Sequence, residues 1–88
     1  MNIEFRESFL KDLRAIKDKK LLRQIRDTIQ ALESAATLLE VPNLRKLRGA
    51  KNYYRIRIGD HRLGLVVEGD SLVLTRLLNR KDIYRYFP

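Results

Sequence analysis

The chain has 88 residues, no cysteine and a formal net charge of +8 at pH 7. That length allows one domain, expected over residues 1–88, and the missing cysteines exclude a disulfide framework or a thiolate metal site. No apolar run approaches the roughly 18 residues of a membrane span. The start, MNIEFRESF, lacks the basic region and apolar stretch of a secretory signal, so a cytoplasmic protein is expected.

Asn2–Arg6 alternates, with Ile3 and Phe5 on one side, and reads as a short strand. Phe9, Leu13 and Ile16 then recur at helical spacing, as do Leu22, Ile25, Ile29 and Leu32. The KDKK run at 17–20 interrupts the pattern, which predicts two antiparallel helices. The charged residues between the apolar positions read as a solvated helix face. ESAATLLEVPNLRKLRG reads as a connection punctuated by Pro42 and Gly49.

Charge concentrates from there on. Residues 1–43 carry eight basic and seven acidic side chains, and residues 63–88 carry four and three. Residues 44–62 carry seven basic side chains (Arg45, Lys46, Arg48, Lys51, Arg55, Arg57, Arg62) against Asp60 alone. Positive charge focused in this way suits a polyanion, and nucleic acid is the commonest. Dispersed charge would serve solubility equally well.

From Tyr53 the period becomes two. Three strands are predicted, Tyr53–Ile58, His61–Glu68 and Ser71–Leu78, separated by Gly59-Asp60 and Gly69-Asp70. With Gly59-Asp60 as the loop, Ile58 pairs with His61, Arg57 with Arg62, Ile56 with Leu63 and Arg55 with Gly64. One face is then Tyr54, Ile56, Ile58, Leu63, Leu65 and Val67, which is core. The other carries Arg55, Arg57, Arg62 and Gly64, whose missing side chain leaves floor space beside three arginines. A solvated outer face explains the polarity but not the lack of acidic partners. In the next hairpin a plain register places Arg76 on the apolar face, so either a bulge intervenes or Arg76 snorkels outward. NRKDIYRYFP closes the chain as a short amphipathic helix with Asn79 as candidate N-cap. The expected fold is α+β, in the order β-α-α-β-β-β-α. An antiparallel sheet carries the N-terminal helical hairpin on one face and ends in a short C-terminal helix.

Arginine is planar, permanently charged and bidentate toward phosphate. A cluster can hold a phosphodiester and stabilise the charge that develops on its oxygens. No Asp/Glu/His group stands at metal-ligand spacing and no Ser-His-Asp set is present, so neither a metal nor a cofactor is expected. A metal-free route is attack by the 2′-OH of RNA on its neighbouring phosphate, which leaves a 2′,3′-cyclic phosphate and excludes DNA. Arginine cannot take up the proton. His61 has a suitable pKa, but a turn histidine without a partner is usually just solvated. Tyr84 and Tyr86 are the better candidates, because Arg80 and Tyr84 would be i,i+4 neighbours on the terminal helix. Core packing, as for Ile83 and Phe87, is the competing role for each.

NLRKLRG followed by YYRIRIGDHRLGLVVEGDSLVLTRLLNRKDIYRYF resembles the RelE/ParE toxin superfamily of bacterial toxin–antitoxin systems, most closely its RelE branch. The resemblance covers nearly the whole chain. It implies the same fold and a metal-independent mRNA endonuclease acting in the ribosomal A site. It also implies a cognate antitoxin, expected to be acidic, wrapped around the toxin. By this resemblance the catalytic residues are Arg55, Arg57, Arg62 and Arg80, with Tyr84 first and Tyr86 second as the functional tyrosine. Arg45, Lys46, Arg48 and Lys51 would bind RNA. Arginine stands where the RelE pattern has lysine at 55 and 57, and Leu78-Asn79 stands where many relatives have Gly-His. The alternatives are a ParE-like gyrase inhibitor that catalyses nothing, and an inactive RNA- or antitoxin-binding module.

Overall fold

Two glycine turns set the frame of the sheet. Gly59 and Gly69 each adopt φ +59°, a left-handed conformation open to glycine without steric cost. They join β3 (Tyr53–Ile58), β4 (His61–Glu68) and β5 (Ser71–Asn79) into an antiparallel meander. The structure, a computed structural model, describes residues 1–88. In the first hairpin Ile58 faces His61, Arg57 faces Arg62, Ile56 faces Leu63 and Arg55 faces Gly64, the register expected from the turn.

Two strands lie outside this meander. β1 (Asn2–Phe5) runs parallel to β5, so the sheet is mixed rather than purely antiparallel. β2 (Leu44–Lys46) pairs antiparallel with β3 inside the segment read as a connection. The five strands take the order β1-β5-β4-β3-β2.

Between β1 and β2 run α1 (Glu7–Arg14), α2 (Lys19–Ser34) and a single 3₁₀ turn at Leu38–Glu40. Asp18 explains the break between the helices: its Oδ1 accepts from the backbone N–H of Lys20 at 2.9 Å and of Leu21 at 3.2 Å. An N-cap of this kind contributes about 1 kcal/mol. Phe9, Leu21, Ile25 and Leu32 pack with Ile56, Ile58, Leu63, Leu65, Leu72, Leu74 and Leu77 in one buried cluster.

Between Gly64 and Leu65 the β4–β5 register shifts. Leu65 faces Leu74 while Gly64 faces Arg76, leaving Thr75 as the extra residue. The bulge therefore takes Arg76 off the apolar face. β1 pairs only as far as Leu74, so the next stretch of β5 needs other partners. α1 supplies them. Ser8 Oγ donates to the Thr75 carbonyl at 2.6 Å, and Asp12 Oδ2 accepts from the Leu77 N–H at 2.9 Å. Asp12 also takes a two-pronged bond from Arg76, 2.8 Å from Nε and 3.2 Å from Nη2.

The outer face is not simply solvated. Tyr53, Val66 and Val73 form a row across β3, β4 and β5, with both valines buried. The C-terminal segment returns over it. α3 is one turn, Ile83–Tyr86, shorter than the helix expected from NRKDIYRYFP. Arg80 lies in the preceding turn, where Asn79 Oδ1 accepts from the backbone of Lys81 and Asp82. Arg80 and Tyr84 are therefore not neighbours along a helix face.

Candidate active site

The site is built on the outer face of β2, β3 and β4. Arg45 on β2 stands opposite Arg55 on β3, and Arg57 stands opposite Arg62 on β4. Each such pair of like charges costs up to about 1 kcal/mol. No carboxylate relieves them, since the ion pairs of the molecule involve Arg6, Arg14, Arg26 and Arg76. Arg62 instead donates from Nη1 to the carbonyls of Gly59 at 3.0 Å and His61 at 2.9 Å. Burial, followed by the charge of Arg55, holds its pKa below the ordinary arginine value; Arg57 and Arg80 push the same way.

Asn43, Leu44, Arg45, Arg55, Arg57 and Arg62 enclose a pocket of about 490 Å³ with one apolar wall residue. A second groove of about 700 Å³ adjoins it, sharing Leu44, Arg45 and Arg55. Lys46, Leu47, Arg48, Tyr84, Phe87 and Pro88 complete its walls. Of the candidate RNA-binding residues, Arg45 lines both spaces, Lys46 and Arg48 line the second, and Lys51 lines neither. Lys46 stands opposite Tyr54, on the face away from Arg45.

Tyr84 comes from α3 to meet this surface. Arg55 Nη1 donates a hydrogen bond to Tyr84 Oη, and Arg55 Cζ lies 4.9 Å from the ring centroid. The hydrogen bond from Arg55 lowers the Tyr84 pKa below the ordinary 10.0; desolvation opposes, and the charges of Arg55 and Arg62 reinforce it. The arginines responsible thus come from β3 and β4, not from the terminal segment that carries Arg80 and Arg85. Tyr86 points elsewhere, with Arg76 Cζ 5.8 Å from its ring centroid. Its partner Arg76 has a raised pKa, chiefly through the hydrogen bond to Asp12. The structure thus brings Arg55, Arg57, Arg62 and Tyr84 together and leaves Tyr86 beside Arg76, outside both the pocket and the groove.

Gly64 corrects a second expectation. The space above it is not vacant floor for a ligand: a Cβ built there would lie 2.8 Å from three carbons of the Phe87 ring. Phe87 fills that space and packs against Tyr53, with ring centroids 5.6 Å apart. Sequence reading also missed Asn43, a pocket residue with φ +63°. Pro42-Asn43 is a turn signal that could have marked it. No group of three or more His, Cys, Asp or Glu side chains is arranged to hold a metal ion.

Comparison with known proteins matches this architecture. The family model described as the ParE toxin of type II toxin–antitoxin systems matches residues 3–84. The chain belongs to the RelE/ParE toxin superfamily. Its similarities place it on the RelE branch. Toxin RelE3 of Methanocaldococcus jannaschii is 36% identical over 89 residues, covering 100% of both chains. The toxin fold also matches the RelB-RelE antitoxin–toxin complex from Methanococcus jannaschii at a TM-score of 0.82 and 35% identity, over 97% of this chain and 99% of the other. The YoeB dimer from Staphylococcus aureus shares the fold at a TM-score of 0.74 and 23% identity, over 91% and 97% of the two chains. No helix of this RelE-branch toxin is long and apolar enough to cross a membrane.

Proposed function

We propose that this toxin is a metal-independent endoribonuclease that cuts mRNA in the ribosomal A site and is held in check by a cognate antitoxin in the cytoplasm. One observation carries the reading: four arginines line a pocket without a carboxylate, and a tyrosine hydroxyl reaches one of them. In this mechanism the RNA 2′-oxygen attacks the adjacent phosphorus as the bond to the 5′-oxygen breaks. A 2′,3′-cyclic phosphate and a 5′-hydroxyl result. Arg55, Arg57 and Arg62 hold the phosphate and stabilise its growing charge. The Tyr84 phenolate accepts the 2′-OH proton, which passes through water to the departing 5′-oxygen and restores the phenolate, and Arg80 adds positive charge at the Arg62 end.

The test maps cut sites on a defined mRNA with and without ribosomes. Cleavage only with ribosomes is expected, and Arg62→Ala should abolish it while the thermal midpoint holds or rises slightly. Unfolding of Arg62→Ala, or full activity, would make the patch structural. The description of the matching family favours a second reading, a ParE-like gyrase inhibitor. That reading predicts intact mRNA and inhibited DNA supercoiling in the same reactions.

A further inference from the structure

α3 is a single turn of four residues, too short to hold its own direction in water. The turn buries Ile83, and Phe87, the extended residue that follows it, is buried as well. Between them Tyr84 is 67% exposed, so little packing of its own fixes where its ring points. Phe87 is only 6% exposed, seated on Gly64 and against Tyr53. Any side chain at 64 would enter the volume of the Phe87 ring.

We propose that Gly64 and Phe87 are positioning residues, a seat and an anchor that together place the Tyr84 hydroxyl on Arg55. The proposal rests on the reading of Tyr84 as proton acceptor, and it explains a glycine in the middle of β4. A glycine inside a strand costs conformational entropy and packs nothing itself. Here its role is to let the C-terminal segment approach the sheet closely enough for Tyr84 to reach a neighbouring strand. The buried core between helices and sheet does not include Phe87, so unseating it leaves that core intact.

The experiment follows Tyr84 directly. Tyrosine ring signals are titrated by NMR between pH 7 and 11 in the full chain and assigned with Tyr84→Phe. The charged groups around this phenol are Arg55 and Arg62, with Arg45, Lys46 and Arg48 lining the same groove. In the wild type Tyr84 should titrate below the ordinary value. In Gly64→Ala and in Phe87→Ala it should return toward about 10, with cooperative unfolding retained. Ribosome-dependent cleavage should fall in both, mainly in kcat. If Gly64→Ala fails to fold, Phe87→Ala decides alone. Retention of the lowered titration in the folded variants overturns the positioning role. Loss of the lowered titration with cleavage unchanged keeps the positioning role and removes Tyr84 from catalysis.

Discussion

A phenol as exposed as Tyr84 would ordinarily stay protonated until about pH 10. The hydrogen bond from Arg55 changes that by favouring the phenolate, and the nearby charge of Arg62 adds to it. The sign gives a pH dependence. Below the lowered pKa most Tyr84 is phenol, and the reactive phenolate rises about tenfold per pH unit. Single-turnover cleavage on programmed ribosomes should therefore climb from pH 6 and level off before pH 10. Tyr84→Phe should be slower by about 100-fold, within the range of one general base, and should lose the slope. Tyr86→Phe should cut at nearly the wild-type rate, because Tyr86 sits over Arg76 rather than in the arginine pocket. A wild-type rate for Tyr84→Phe at every pH would remove Tyr84 from the proton transfer and turn attention to His61.

At the scale of elements, the legible parts are those with local signals. Period-two alternation and the two glycine turns gave β3 and β4 with their register. The KDKK run marked the break between the helices, where Asp18 caps α2. The rest depends on contacts between distant segments. β2 is three residues long, too short for a period, and exists because Leu44, Arg45 and Lys46 find Ile56, Arg55 and Tyr54 across the sheet. The occupant above Gly64 comes from the far end of the chain and leaves no mark beside Gly64. The bulge at Thr75 was one of two readings, and Asp12 decides it: it binds Arg76 and the Leu77 N–H where β1 has ended. The Asp12 and Arg76 side chains are only 13% and 26% exposed, so this pair is poorly screened. Asp12→Asn leaves a guanidinium short of its partner and should cost about 2–4 kcal/mol. In urea the midpoint should fall at unchanged slope. A variant as stable as the wild type would mean that the β5 edge finds other partners.

For the whole molecule the governing fact is where the charge lies. The N-terminal 43 residues are nearly neutral, whereas residues 44–62 carry seven cations and one anion, and four of those cations, Arg45, Arg55, Arg57 and Arg62, line the pocket on the outer face of the sheet. The helices cover the opposite face, so the arginine pocket stays open to a large ligand. An antitoxin that silences this surface must bring carboxylates to it, and an acidic chain would be drawn there before it docks. Binding should then weaken with salt, since the screening length falls from about 10 Å at 0.1 M to 3 Å at 1 M. Calorimetric titrations of the cognate antitoxin from 0.05 to 0.5 M salt should show Kd rising by roughly tenfold or more. Arg45→Gln and Arg57→Gln should each flatten that dependence, because both line the pocket. Lys51→Gln should leave it nearly as steep, because Lys51 lines neither pocket nor groove. Binding indifferent to salt, with Arg45→Gln and Arg57→Gln matching the wild type, would place the antitoxin on the helical hairpin. The arginine face would then remain exposed in the inactive complex, and inhibition would have to act by keeping the toxin off the ribosome.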